Sequence, residues 1–231
     1  THETIVCCGP DFPSIAASAF ASAFGHIVPM LLGCEDLEAA YRHIPNSNPG
    51  FTVFVVWDPT SKSPAYFTLP GFNFGLTTAV ISFNRLPALI IAACRRLGVN
   101  ICNFFDDFCL AEPAICGKSG SSLLYSLMNF FGTPLSPDKH VPMNACNTFL
   151  GVITDFSHLS HTGFSIIRMK PSRAVDCANT LSEALRCGKL SKADCSSVRG
   201  KLQFLGCSTF GRLGRAPLQA LVAHQYNGGR D

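Results

Sequence analysis

Two aspartates stand side by side in NFFDDFCL, residues 103–110, with phenylalanines on both flanks. Adjacent carboxylates repel, and an apolar setting adds a desolvation cost, so both stay ionised only if a cation offsets them. A hard, oxygen-only donor set suits Mg2+, which takes one or two carboxylates and completes its shell with waters and phosphate oxygens. A third carboxylate is on offer in CEDLEAAYRHIP, residues 34–45, where Asp36 ends the apolar run from Ile27. If the two apolar segments pair as neighbouring strands, Asp36 and Asp106 meet at their ends. Such a cluster could hold two metal ions, one activating an attacking hydroxyl and one stabilising a leaving phosphate. A lone F-x-D-D, by contrast, occurs by chance in many proteins.

The elements that must position these residues can be read from periodicity and stop signals. Ser14 to Gly25 has helical spacing, with Phe20 and Phe24 four apart, and His26 to Asp36 reads as a short buried strand. Leu37 to His43 suits a helical turn stopped by Pro45, and residues 46–50 a loop. Phe51–Trp57 and Ala65–Leu69 read as a hairpin around the turn Asp58–Pro64. After a Gly/Asn loop at 71–75, Thr77 to Leu97 predicts a long buried helix stopped at Gly98, with Pro87 predicting a kink or break. Val99–Phe105 and Phe108–Ala111 predict a tight hairpin with Asp106 and Asp107 at its tip. Ser119–Phe131 predicts a helix, and Thr148–Thr154 and Phe164–Met169 two further strands. From Pro171 the chain reads as all-helical, with Gly188 as a stop and Ser191 with Asp194 as an N-capping pair.

Composition sets the frame. With 231 residues, 47% hydrophobic and 14% charged, the chain has apolar material for a sizeable core, and disorder is not expected. Residues 1–167 hold 7 Lys/Arg against 11 Asp/Glu, net −4, whereas residues 168–231 hold 11 against 4, net +7. An acidic body followed by a basic segment suggests a metal or catalytic centre first and a polyanion contact after it, a solvated basic helical face being the alternative. The 12 cysteines follow no C-x-x-C or zinc-ligand spacing, and most lie in apolar runs. Buried free thiols and an intracellular setting are therefore expected. Ser18, Ser22, His26 and Pro29 interrupt the apolar stretch Ile15–Leu32, which argues against a membrane span. The start at Thr1 suggests a piece of a longer protein.

The segments DLEAAYRHIP, FGLTTAVISFNR, NFFDDF, GTPLSPDKH and TFLGVITD follow one another in the order of the reverse transcriptase palm motifs, over about residues 33–155. In them the chain resembles the RNA-directed DNA polymerase domains of eukaryotic retroelements, DIRS-like or related. The resemblance implies an α+β, right-hand polymerase palm of antiparallel strands packed on helices over residues 1–167, with a remnant of fingers, then a small helical thumb over 168–231. The segment LPGFNFGL is longer than the family's LPFG-like form, and no Lys or Arg precedes Arg42, so the fingers are read as incomplete.

It also implies roles. Asp36 and Asp106 match the metal-binding aspartates, with Asp107 a less direct neighbour and the Leu37 carbonyl an added ligand, for two Mg2+ ions that Mn2+ could replace. Tyr41 matches the aromatic ring that excludes a 2′-hydroxyl. Phe74 and Gly75 fall where the family contacts the templating base and incoming nucleotide, and Lys139 matches a proposed general acid toward pyrophosphate. Phe149, Leu150 and Gly151 match the primer grip, and Arg199, Lys201, Arg212 and Arg215 could contact duplex phosphates. The implied partners are an RNA or DNA template with its primer and deoxynucleoside triphosphates. Two other readings stay open: a truncated, inactive retroelement protein that binds nucleic acid, and a nucleotide cyclase on a similar palm.

Overall fold

A computed structural model describes residues 5–73, 75, 77–208 and 215–226. The chain divides into two compact units, one built from Glu35–Phe108 and Ser119–His140 with the chain up to Cys7, the other from Cys8–Cys34, Cys109–Lys118 and Val141 onward. In order, the elements are α1 (Phe12–Phe24), β1 (Met30–Asp36), β2 (Val53–Asp58), β3 (Ser63–Thr68), α2 (Thr77–Arg96), β4 (Ile101–Phe104), β5 (Asp107–Pro113), α3 (Gly117–Phe131), β6 (Val141–Asn144), β7 (Cys146–Phe149), β8 (Val152–Asp155), α4 (Leu159–Thr162), β9 (Ile166–Met169), α5 (Pro171–Cys187), α6 (Lys192–Ser208) and α7 (Arg215–Tyr226). The strands form three sheets, ordered β4-β5-β1-β6, β2-β3 and β7-β8-β9. The fold is mixed, with helices and antiparallel sheets.

In the first unit the apolar face of α2 packs against β4, and Phe83, Ile90, Ile101, Leu124 and Met128 are fully buried. Each such side chain stabilises the fold by about 1.5–3 kcal/mol of removed apolar surface. By length and composition alone α2 could span a bilayer, yet Phe83, Ile90 and Cys94 are buried in this core. The β2–β3 hairpin is in register from Val53 opposite Thr68 to Asp58 opposite Ser63. Its turn is held by Asp58, which accepts from the Thr60 N–H at 2.8 Å and the Ser61 hydroxyl at 2.7 Å.

The second unit contains the capping pair: the Asp194 N–H donates to Ser191 Oγ at 3.1 Å, and α5 ends at Gly188 with φ +66°. None of the cysteines other than Cys207, whose side chain is not described, forms a disulfide among the described residues; Cys94, Cys102, Cys109, Cys177 and Cys195 are buried, while Cys116 and Cys187 are exposed.

Four local expectations are corrected. α2 runs through Pro87 without a break, because its buried stripe continues on both sides. Thr148–Thr154 is two strands, β7 and β8, folded on Leu150 and Gly151, both at positive φ. β6, unread in the sequence because Pro142 and Asn144 hide its alternation, lies beside β1. The strand expected from His26 begins only at Met30, after Pro29.

Candidate active site

Three segments of the first unit meet at the end of β1. The Leu37 N–H donates to the carbonyl of Asp106 at 3.0 Å, tying β1 to the β4–β5 turn. The Ser136 N–H donates to the Asp36 carbonyl at 2.8 Å and the Glu38 N–H to the Pro134 carbonyl at 3.0 Å, tying the same strand end to the segment before β6. These bonds are why residues 70 and 100 positions apart in sequence share one site.

Asp36 is only 6% exposed, and both its carboxylate oxygens accept from Lys139 Nζ at 2.9 Å. That contact, outweighing partial desolvation, pushes the Lys139 ammonium further up. Burial raises the Asp106 carboxyl, and the charge of Asp36 adds to it. Asp107 is pushed to about 6, first by burial and then by repulsion from Asp106 and Asp36, with Asp36 within hydrogen-bonding reach. The single ammonium of Lys139 faces three carboxylates, and the excess negative charge is what a divalent cation would relieve.

The turn differs from the expected one. Phe105 and Asp106 form it, while Asp107 is the first residue of β5. Phe105 sits at φ +55°, a strained conformation for a side chain of this size. The amide of Asn103, 8% exposed, donates to the Phe105 carbonyl at 2.9 Å and braces it. Asn103 carried no sequence signal beyond its place in an apolar run.

Tyr41 lies within a short 3-10 turn, Ala40–His43, and its ring stands 4.8 Å from that of buried Phe83. Burial raises its hydroxyl pKa, and the charge of Asp106 adds to the shift, so the ring is held beside the carboxylates. Leu37 is buried at the crossing of β1 with Leu135. Gly75 has φ +92° and open space where a Cβ would be, so conformation rather than crowding calls for glycine there. Phe74 and Arg212 lie outside the described residues, and of Arg215 only its position at the start of α7 is described.

Phe149, Leu150 and Gly151 belong to the second unit. Phe149 is buried, and the Leu150–Gly151 turn carries the Arg173 guanidinium so closely that a Cβ at Gly151 would collide with it. The Arg199 guanidinium lies 5.5 Å over the Tyr226 ring, and its Nε is buried without a hydrogen-bond partner. Lys201 is half-exposed on α6.

Sequence reasoning missed Glu35, Tyr125 and His140. His140 Nδ1 lies 2.8 and 3.0 Å from the two Glu35 oxygens, and Tyr125 Oη lies 3.0 Å from Glu35 Oε2. Burial and then Glu35 push the Tyr125 hydroxyl to about 12. The signal was the pair of dipeptides Glu35-Asp36 and Lys139-His140, complementary once the strands run antiparallel in the register of Cys34 with Val141.

The Asp107 carboxyl makes the fold pH-sensitive. It titrates at about 6 in the folded chain against an ordinary 3.8, so the folded state holds the extra proton between those values and stability falls as pH rises through them. Asp107→Asn is expected to raise unfolding stability at about pH 7.5 by roughly 1 kcal/mol after solvent screening. The gain should shrink through about pH 6 and vanish near pH 4, as read by urea titrations; a gain independent of pH would refute this origin.

No family model and no curated protein sequence matches this chain. Among solved structures, the foamy viral protease-reverse transcriptase in complex with double-stranded DNA aligns with TM-score 0.56 at 13% identity, over 88% of this chain and 36% of that one. The same viral protein in complex with an RNA/DNA hybrid aligns with TM-score 0.54 at 12% identity, over 87% of this chain and 28% of that one. A telomerase from Candida albicans, in complex with a fragment of telomeric RNA, aligns with TM-score 0.47 at 12% identity, over 92% and 43%. This chain thus spans about a third of the viral chains. The two viral alignments show a reverse-transcriptase-like fold.

Proposed function

We propose that the chain is the palm and thumb portion of an RNA-directed DNA polymerase, a nucleotidyltransferase that joins deoxynucleotides to a primer 3′-hydroxyl on an RNA or DNA template. The observation that carries the reading is the convergence of Asp36, Asp106, Asp107 and Lys139 from three separate segments. The reverse-transcriptase-like fold and the five ordered motifs support it. The motifs favour a retroelement polymerase, DIRS-like or related. Residues 168–231 are read as the thumb, with Arg199, Lys201, Arg212 and Arg215 toward the duplex phosphates, a contact that gives salt-dependent affinity without sequence preference.

The donor set fits Mg2+: all oxygen, excess negative charge, and a half-buried carboxyl raised by desolvation and by its neighbours' charges. Among the described residues no group of three or more Asp, Glu, His or Cys side chains is spaced to hold a metal ion as it stands. Asp36, Asp106 and Asp107, with the Leu37 carbonyl, would hold it. There the ions would supply a lowered pKa for the primer hydroxyl and an offset to charge on the departing pyrophosphate. Lys139 supplies a proton to that pyrophosphate, and its ammonium is kept charged by Asp36. Tyr41, backed by Phe83, closes the space beneath the sugar. The primer-grip turn Phe149–Gly151 sets the primer end.

Primer extension by the purified chain with Mg2+ or Mn2+ on an RNA template tests the proposal. Within that assay, Tyr41→Val is expected to raise ribonucleotide over deoxynucleotide use on the order of 100-fold, the scale on which shape alone discriminates. Unchanged discrimination would remove Tyr41 from the site. The basic segment 168–231, net +7, also suits a second reading, a protein that binds nucleic acid without polymerising. Template binding with no extension under either metal would select it.

A further inference from the structure

We propose that Glu35, Tyr125 and His140 form a clamp that positions Lys139 on Asp36. The clamp is built from three elements: Glu35 from β1, Tyr125 from α3, and His140 from the residue that follows the 3-10 turn Pro137–Lys139. Glu35 is 3% exposed, and its oxygens are met by His140 Nδ1 at 2.8 and 3.0 Å and by the Tyr125 hydroxyl at 3.0 Å. A carboxylate only accepts, so Nδ1 of His140 carries the hydrogen. Tyr125 Oη stands 3.0 Å from that same nitrogen, so each of the three groups touches the other two.

The clamp lies one residue from the reacting groups on both strands. Glu35 precedes Asp36 and His140 follows Lys139, so two acid–base pairs stand side by side, Glu35 with His140 and Asp36 with Lys139. Neighbouring residues of an extended strand project to opposite sides, so Glu35 and Asp36 take their partners on opposite faces of β1. The Lys139 side chain is 63% exposed and long, and nothing in its own turn forces it onto Asp36. The turn closes on itself through the Lys139 N–H to the Ser136 carbonyl and the His140 N–H to the Pro137 carbonyl. Anchoring His140 on the buried Glu35 carboxylate fixes the Lys139 backbone, and with it the reach of Nζ to both Asp36 oxygens. His140 is thus a positioning residue for the proton donor, in a role that rests on the polymerase reading of Lys139.

The test uses His140→Ala and His140→Asn in the full chain, because the side-chain amide of Asn can reach the place of Nδ1. In the first arm, acylation of Lys139 by an amine-reactive ester is followed by mass spectrometry, with exposed Lys62 and Lys170 as internal references. His140→Ala is expected to accelerate Lys139 labelling severalfold with Lys62 and Lys170 unchanged, and His140→Asn to restore the wild-type rate. In the second arm, single-turnover primer extension should show a maximal rate lowered about tenfold in His140→Ala, with primer–template affinity unchanged and the rate recovered in His140→Asn. Unchanged Lys139 labelling, equal acceleration at all three lysines, or no recovery with Asn would overturn the clamp. A wild-type chain that extends no primer would instead sink the polymerase reading, while the labelling arm still judges the clamp.

Discussion

Primer extension by an Asp36→Asn chain is expected to fall by at least about 10³-fold, which corresponds to roughly 4 kcal/mol of transition-state stabilisation. The magnitude follows from position. Asp36 is nearly buried, is bonded through its carbonyl to Ser136, and stands where β1 meets the Asp106 turn and Lys139. Asparagine keeps the shape and one acceptor for Lys139 but removes the charge that a divalent ion needs. The fold should survive: Lys139 is largely solvated, and loss of the Asp36 charge relieves repulsion on Asp106 and Asp107. Far-ultraviolet circular dichroism and primer–template affinity should therefore match the wild type. Extension within tenfold of wild type would show that Asp36 does not serve the reaction, whatever the fold.

Lys139 carries the second large effect, and its two roles pull apart under substitution. Lys139→Met keeps the apolar stem but removes both charge and proton, and is expected to lower the extension rate by about 10²-fold. It also removes the cation that contacts Asp36 among the described residues, so Mn2+ should bind more tightly than in the wild type. Lys139→Arg restores the charge without a usable proton, since a guanidinium is not deprotonated in proteins. Arginine is thus expected to return Mn2+ affinity toward wild type while leaving the rate low. A faster Lys139→Met chain would show that the ammonium competes with metal and does no proton transfer. Full activity in Lys139→Arg would make charge alone its contribution.

Much of the local structure was legible because its causes are local. Gly188 ends α5, Ser191 and Asp194 cap α6, and Thr77–Arg96 forms the long helix its apolar spacing foretold. Asp36 does meet the Asp106 turn, but not through the expected pairing of the two apolar runs: β5 lies between β4 and β1, and the turn's backbone reaches Leu37. The misreadings have other origins. Pro87 is a helix breaker in isolation, but an apolar stripe buried on both sides of it keeps α2 continuous. Leu150 at φ +50° is an unfavoured turn residue, so a hairpin was read as one strand. At the tip of the β4–β5 hairpin the strained residue is Phe105, supported by Asn103, a bond that no spacing rule announces.

What the amino-acid sequence carried by itself was most of the order of elements and the residue types of the proposed chemistry: three carboxylates, a lysine and an aromatic ring. What tertiary structure alone decided was their coupling. Asp36 and Lys139 are 103 positions apart, and Glu35 and His140 105. Their pairing depends on the register of β1 against the segment before β6, and a shift of one residue would give one acid the other's base and leave the second acid without one. The raised carboxyl of Asp107 likewise depends on burial and on charges brought in from β1, which no local window of residues contains. Propensities and caps act over a few residues, whereas desolvation and charge pairing act through space and exist only once the chain has folded.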